Sequence, residues 1–207
     1  PLARLMENDF FGEMALVDRS QRSAQAAAVG HVILGRMTRP GCGISPAREL
    51  TDFSRGKMQL TLAAVRIGEL VQDLQADFAK CQSSTEVRIE ILCDECINVD
   101  RQRLLRVFSN LIRNAREAMS ASESKVLRFV VTRSGAQLRF EVSDTGCGIP
   151  AQLLSRIFEP FMTHGKANGT GLGLAIGKAV VEAHHGTIAV ASSERGTTVT
   201  IDLPLET

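Results

Sequence analysis

A chain of 207 residues with a net charge of +1 allows one domain or one and a half, and lacks the strongly basic balance of a dedicated nucleic-acid binder. Its 44% apolar share suits a folded core, while no apolar run nears the ~18 residues that cross a bilayer. Five cysteines at irregular spacing (Cys42, Cys81, Cys93, Cys96, Cys147) fit reduced cytoplasmic thiols rather than a disulfide framework.

In chain order, residues 1–40 read as short strands and turns, and the start at Pro1 without a methionine reads as that of a fragment or processed chain. No signal peptide is expected. A breaker cluster, Pro40-Gly41-Cys42-Gly43, opens a linker over 41–58. From 59 to 207 helix-like and strand-like patterns alternate, which predicts a layered α+β domain. Ala64 to Lys80 shows helical spacing through Val65, Ile67, Leu70, Val71, Leu74 and Phe78. Val87 to Leu92 alternates as a strand. Cys93-x-x-Cys96 has no second Cys or His pair at zinc-site spacing, so it reads as a strand end and turn. Asp100 to Met119 is a strongly amphipathic helix. Two hairpins follow: Val126–Thr132 with Gln137–Val142 about Ser134-Gly135, and Thr187–Ala191 with Thr197–Leu203 about Glu194-Arg195-Gly196. A helix is predicted over Leu172 to His184, just before the second hairpin.

Four features carry chemistry. On the helix from Asp100, the residues Leu104, Leu105, Phe108, Leu111, Ile112, Ala115 and Met119 form one apolar stripe, with Asn110, Asn114 and Glu117 on the other face. Asparagine is a mediocre helix former, so two of them mid-helix invite a reason. Asp144-Thr145-Gly146-Cys147-Gly148 follows a strand; its glycines allow a tight turn, and its carboxylate can accept from an exocyclic amine such as adenine N6. Ile157-Phe158-Glu159-Pro160-Phe161 supplies aromatics that would pin a loop to the core. Gly169-Thr170-Gly171-Leu172-Gly173-Leu174 runs into a helix N-terminus, where free N–H groups suit phosphates. The last is neither a P-loop nor a dinucleotide fingerprint, because no Lys-Ser/Thr follows and the third glycine comes too early.

In this order and spacing the four features resemble the histidine-kinase branch of the ATPase superfamily that also holds gyrase, Hsp90 and MutL. Asn110 to Met119 looks like the N box, Asp144 to Gly148 the G1 box, Phe158 to Phe161 the F box, and Gly169 to Leu174 the G2 box. The resemblance covers about residues 50–207, because Leu50-Thr51-Asp52-Phe53-Ser54-Arg55 is similar to the end of a second dimerisation helix. It implies a Bergerat fold, a two-layer sandwich whose mixed sheet carries three helices on one face. It also implies ATP and Mg2+ as ligands, with Asn114 on the metal, Asn110 near the phosphates and Asp144 on adenine. Gly146, Gly148, Gly169, Thr170, Gly171, Leu172 and Gly173 would shape the site, and Thr198 would back the adenine contact. Partners implied are a response regulator and a dimerisation domain bearing the phosphoacceptor histidine. Hydrolysing relatives carry a Glu four residues before the metal-binding Asn; here that position is Asn110, with no general base.

The phosphoacceptor itself is not evident, which leaves open, beside the kinase reading, a kinase-dead nucleotide-binding regulatory module acting through ATP-dependent protein contacts. Of His31, His164, His184 and His185, none sits in an H-E-x-x-x-P pattern. The stretch from about 36 to 50 is too short for two long helices at about 1.5 Å per residue. At the front, Phe10-Phe11-Gly12-Glu13-Met14-Ala15-Leu16 with Arg22-Ser23-Ala24 resembles the phosphate cassette of cyclic-nucleotide-binding domains. That resemblance implies Glu13 on a ribose hydroxyl and Arg22 on a cyclic phosphate, in a small N-terminal β remnant that lacks most of its β-roll.

Overall fold

The computed structural model describes residues 58–82, 85–162 and 171–205. The compact unit Gln59–Thr207 contains nearly all of them. Outside the described residues lie the cassette with Glu13 and Arg22, His31, most of the linker, and His164, Gly169 and Thr170.

The sheet is built from strands that mostly alternate, with Val130 also buried beside Phe129 and Val131 on β4 (Val126–Ser134). β2 (Glu86–Ile91), β4 (Val126–Ser134), β5 (Gln137–Asp144), β6 (Thr187–Ser193) and β7 (Gly196–Pro204) stand in the order β2-β4-β5-β7-β6. β2 runs parallel to β4 and every other pair is antiparallel, so the sheet is mixed. Leu127, Phe129, Val131, Leu138, Phe140, Val142, Val199, Ile201 and Leu203 are buried on one face. The opposite face carries ion pairs such as Arg128 with Glu90 and Arg139 with Asp202.

Three helices cover the apolar face: α2 (Gln75–Gln82), α3 (Arg101–Ala118) and α5 (Gly173–Ala183). Their contact with the sheet is partly aromatic. Phe129 meets Phe78 and Phe108 edge-on, both with ring centroids 5.5 Å apart, and Phe108 lies 5.0 Å from Phe140. Truncating one such ring costs about 3–5 kcal/mol in a core of this kind. The expected sandwich, a mixed sheet with three helices on one face, is therefore the fold found. A short α4 (Ala151–Leu154) follows the G1 turn.

The α3 boundaries follow from local chemistry. Asp100 is the N-cap, and its carboxylate accepts from the Arg103 N–H at 3.1 Å, satisfying one of the helix's orphan donors. The Asp100 N–H donates to His184 Nε2 at 2.9 Å, and His184 Nδ1 stands 2.7 Å from the Val180 carbonyl. His184 thus ties the start of α3 to the end of α5. Of the predicted stripe, Leu105 is only half-buried, and Val107 takes a core place instead.

One prediction needs correction. The helix expected over Ala64 to Lys80 begins instead as a strand, β1 (Ala63–Arg66), antiparallel to β3 (Cys96–Val99). α1 (Ile67–Asp73) and α2 follow, separated at Leu74. The apolar stripe stays in the core, with Val65, Ile67, Leu70, Val71, Leu74 and Phe78 all buried. The strand wins because a partner exists only in three dimensions: Arg66 is held beside Cys96, and the Ile67 and Gly68 N–H groups bond to the Glu95 carbonyl and the Asp94 carboxylate.

Candidate functional site

A cleft of about 910 Å3 opens between α3, the G1 turn, the β6–β7 hairpin and the start of α5. Its size and mixed lining suit a nucleotide-sized ligand. Asn110, Arg113, Asn114 and Glu117 reach it from one flank of α3, while Leu111 and Ala115 present an apolar wall. The helical spacing explains the grouping, since positions three and four apart share a face.

At the other end, Asp144 closes β5. Its Oδ1 accepts from the Gly146 N–H at 2.8 Å. Burial pushes the Asp144 carboxyl above the usual range, and backbone hydrogen bonds from Gly146 and Thr197 pull it partly back. The turn after it is fastened on three sides. The Cys147 N–H donates to the Ala118 carbonyl at 3.3 Å, the Ile149 N–H to Ser192 Oγ at 2.8 Å, and Thr145 Oγ1 to the Ser124 carbonyl at 2.8 Å. Gly148 has φ +70°, and a Cβ there would fall on the Ser193 carbonyl, so this turn requires glycine.

The structure brings Asn110, Asn114, Asp144, Gly148, Gly171 and Gly173 to the one cleft. Three expected residues are placed elsewhere. Gly146 does not line the cleft, and a Cβ there would strike Ala118 and the Asp144 carboxylate, so its smallness lets the turn close against α3. Leu172 is buried in the core just before α5, and Leu174 lines the cleft instead. Thr198 points to the far face of the sheet, its hydroxyl 3.0 Å from Ser143. Thr197, opposite Asp144 in the register, is the threonine on the cleft side, 2.9 Å from Ser192 Oγ. The pleat decides this, because adjacent residues of a strand face opposite ways.

The aromatics after α4 also differ from expectation. Ile157 is the buried anchor, whereas Phe158 is half-buried with Lys178 over its ring at 5.5 Å and Phe161 is 41% exposed. Phe161 adopts φ 66°, and its N–H donates to the Gly171 carbonyl at 3.0 Å, which joins the F box to the G2 box. Sequence reasoning missed Arg113, Ser192 and Thr197. Arg113 could have been found from its position beside Asn114 on the polar flank, but the hairpin residues gave no local signal.

Residues 99–207, just over half of the chain, match the family model described as histidine kinase-, DNA gyrase B-, and HSP90-like ATPase. The chain belongs to that family. Among curated relatives of this ATPase domain, it is 37% identical over 150 residues to the sensor histidine kinase ZraS of Escherichia coli, covering 70% of this chain and 32% of that protein. Against the signal transduction histidine-protein kinase AtoS of the same species it is 43% identical over 110 residues, 53% of this chain and 18% of AtoS. The chain thus spans a third or less of these two relatives. Among solved structures, the nucleotide-free catalytic domain of histidine kinase ThkA aligns with a TM-score of 0.63 at 27% identity, covering 72% of this chain and 97% of that one. Full-length ShkA in complex with AMPPNP gives 0.63 at 27% identity, over 77% of this chain and 35% of ShkA. No helix among the described residues is long and apolar enough to cross a membrane.

Proposed function

We propose that this unit holds ATP with Mg2+ and presents it for phosphoryl transfer to a histidine on a dimerisation domain, as part of a cytoplasmic two-component sensor kinase that passes the phosphoryl group to a response regulator. The observation that carries the reading is Asn110. It occupies the α3 position where hydrolysing relatives place a general base, and an amide cannot take a proton from water. Phosphoryl transfer asks mainly for positioning and charge neutralisation. The ShkA structure, a complex with AMPPNP, supports ATP as the ligand.

In this reading the Asp144 carboxylate takes the adenine amino group, supported by Thr197 in place of Thr198. Val142, Ile149, Ile157 and Val199 enclose the base. Asn110 lies by the phosphates, and Gly171, Gly173 and the start of α5 offer backbone N–H groups to them. The Asn114 amide oxygen suits Mg2+, a hard cation that takes oxygen ligands; when bound, that ion would neutralise charge on the phosphates. Gly169 and Thr170 complete the G2 sequence in this reading. Glu13 and Arg22 are read as the vestige of a cyclic-nucleotide cassette.

Titration of the full chain with ATP in Mg2+ and in chelator tests the site, with labelled ATP and a separate dimerisation domain testing transfer. The expected outcome is metal-dependent binding that Asn114→Ala removes, slow or no hydrolysis, and label on the added histidine domain. Equal ATP binding with chelator, with Asn114→Ala and with Asp144→Asn would defeat the assignment.

A further inference from the structure

The phosphate end of the cleft holds two asparagines one helical turn apart on α3, Asn110 and Asn114, and nothing in their own chemistry says which should meet the metal and which the phosphates. A side-chain amide has two unlike halves: the oxygen suits a cation, and the NH2 suits a phosphate oxygen. Their surroundings differ, however. Arg113 Nη2 donates to the Asn110 side chain at 2.6 Å. A guanidinium has donors and no acceptor, so the Asn110 atom facing it must be Oδ1, and Nδ2 is the half turned away. Gly173, the first residue of α5, comes close to the same amide, since an added Cβ there would fall directly on it.

We propose that Arg113 is a positioning residue that locks Asn110 as a phosphate donor and so leaves the metal to Asn114. The inference rests on the ATP·Mg2+ reading above and assigns a division of labour within it. With its oxygen occupied by a cationic donor, Asn110 is a poor metal ligand and can offer only N–H to an anion. Arg113 suits the task because it is 59% exposed along its side chain, long enough to reach back one turn, and always charged. It is also the one cation lining the cleft among the described residues. Removing it would free the amide to turn its oxygen toward the phosphates, where it would repel them.

The experiment is a double-mutant cycle on the full chain, with Arg113→Met, Asn110→Ala and the pair together, titrated with ATP·Mg2+ and with adenosine. Arg113→Met should weaken ATP binding roughly tenfold, the size of one lost charge-assisted hydrogen bond, and should add nothing on top of Asn110→Ala. Adenosine should bind all three variants like the parent chain, which also shows that they are folded. Unchanged ATP affinity in Arg113→Met overturns the inference. So do fully additive losses in the double variant, which would make Arg113 an independent charge on the phosphates. In both of those cases the parent chain still binds ATP and the nucleotide reading stands; a parent chain that binds no ATP removes the reading and the inference together.

Discussion

The two ends of the cleft are built on different principles. At the Asp144 end the functional group sits in a frame of backbone hydrogen bonds: Gly146 holds the carboxylate, Cys147 bonds to the last turn of α3, and Ile149 bonds to Ser192 on β6. At the Asn110 end the groups are long or flexible side chains on one helix flank, with Arg113 well exposed. Strand register and backbone donors make a fixed template, suited to choosing a ligand. Side chains on a helix surface can shift by a rotamer unless a neighbour holds them, as Arg113 holds Asn110. The rigid end carries a cost in stability. Burial raises the Asp144 carboxyl, so its ionised form is disfavoured by the fold at neutral pH, a pattern expected where function rather than stability fixes the residue.

The contrast breaks most severely at Gly148. Gly148→Val would force a branched side chain into φ +70° and onto the Ser193 carbonyl, for a loss of about 2–4 kcal/mol. Denaturant unfolding should show that loss, and neither ATP nor adenosine should bind. Next comes Asp144→Asn, which separates stability from recognition. A folded-state pKa raised above its unfolded value gives stability that is present at low pH and lost as pH rises, so removing the charge should not lower the melting temperature at pH 7. Adenosine affinity should nevertheless fall about ten- to hundredfold, the range for a hydrogen bond to a charged group. A lower melting temperature with intact adenosine binding would reverse the roles assigned to the two ends.

A smaller effect should come from outside the cleft, at the tie between the start of α3 and the end of α5. His184 is buried with its Nε2 accepting from Asp100, and burial holds its pKa below the ordinary histidine value. The unfolded chain then binds a proton that the folded chain refuses. Stability is therefore full above pH ~6.5 and falls as pH drops below it, by at most about 1.4 kcal/mol per pH unit from this group. Unfolding curves from pH 7.5 to 5 should show this slope, and His184→Gln should flatten it. The smallest expected effect concerns adjacent threonines. Thr197→Val should weaken adenosine severalfold, while Thr198→Val, on the far face, should leave it unchanged; equal effects would mean that the pleat does not separate their roles.

Much of this was legible in the chain. α3 was predictable from Asp100 to Met119 because a capping aspartate and a sustained apolar stripe are local signals that tertiary contacts only reinforce. Both hairpins were legible for the same reason: Gly135 and Gly196 mark their turns with positive φ. The region Ala64–Arg66 was not legible, because its strand depends on β3, some thirty residues downstream.

The sequence by itself determined the family, the mixed α+β architecture and the set of residue types in the cleft, since the spacing of two asparagines, an aspartate and paired glycines is written in one dimension. Tertiary structure alone decided which threonine backs Asp144, which leucine faces the cleft, and which atom of Asn110 Arg113 grips. Those choices are matters of face and rotation. A residue's face is fixed by the partner strand or helix it meets, and that partner is supplied by chain folded back from elsewhere.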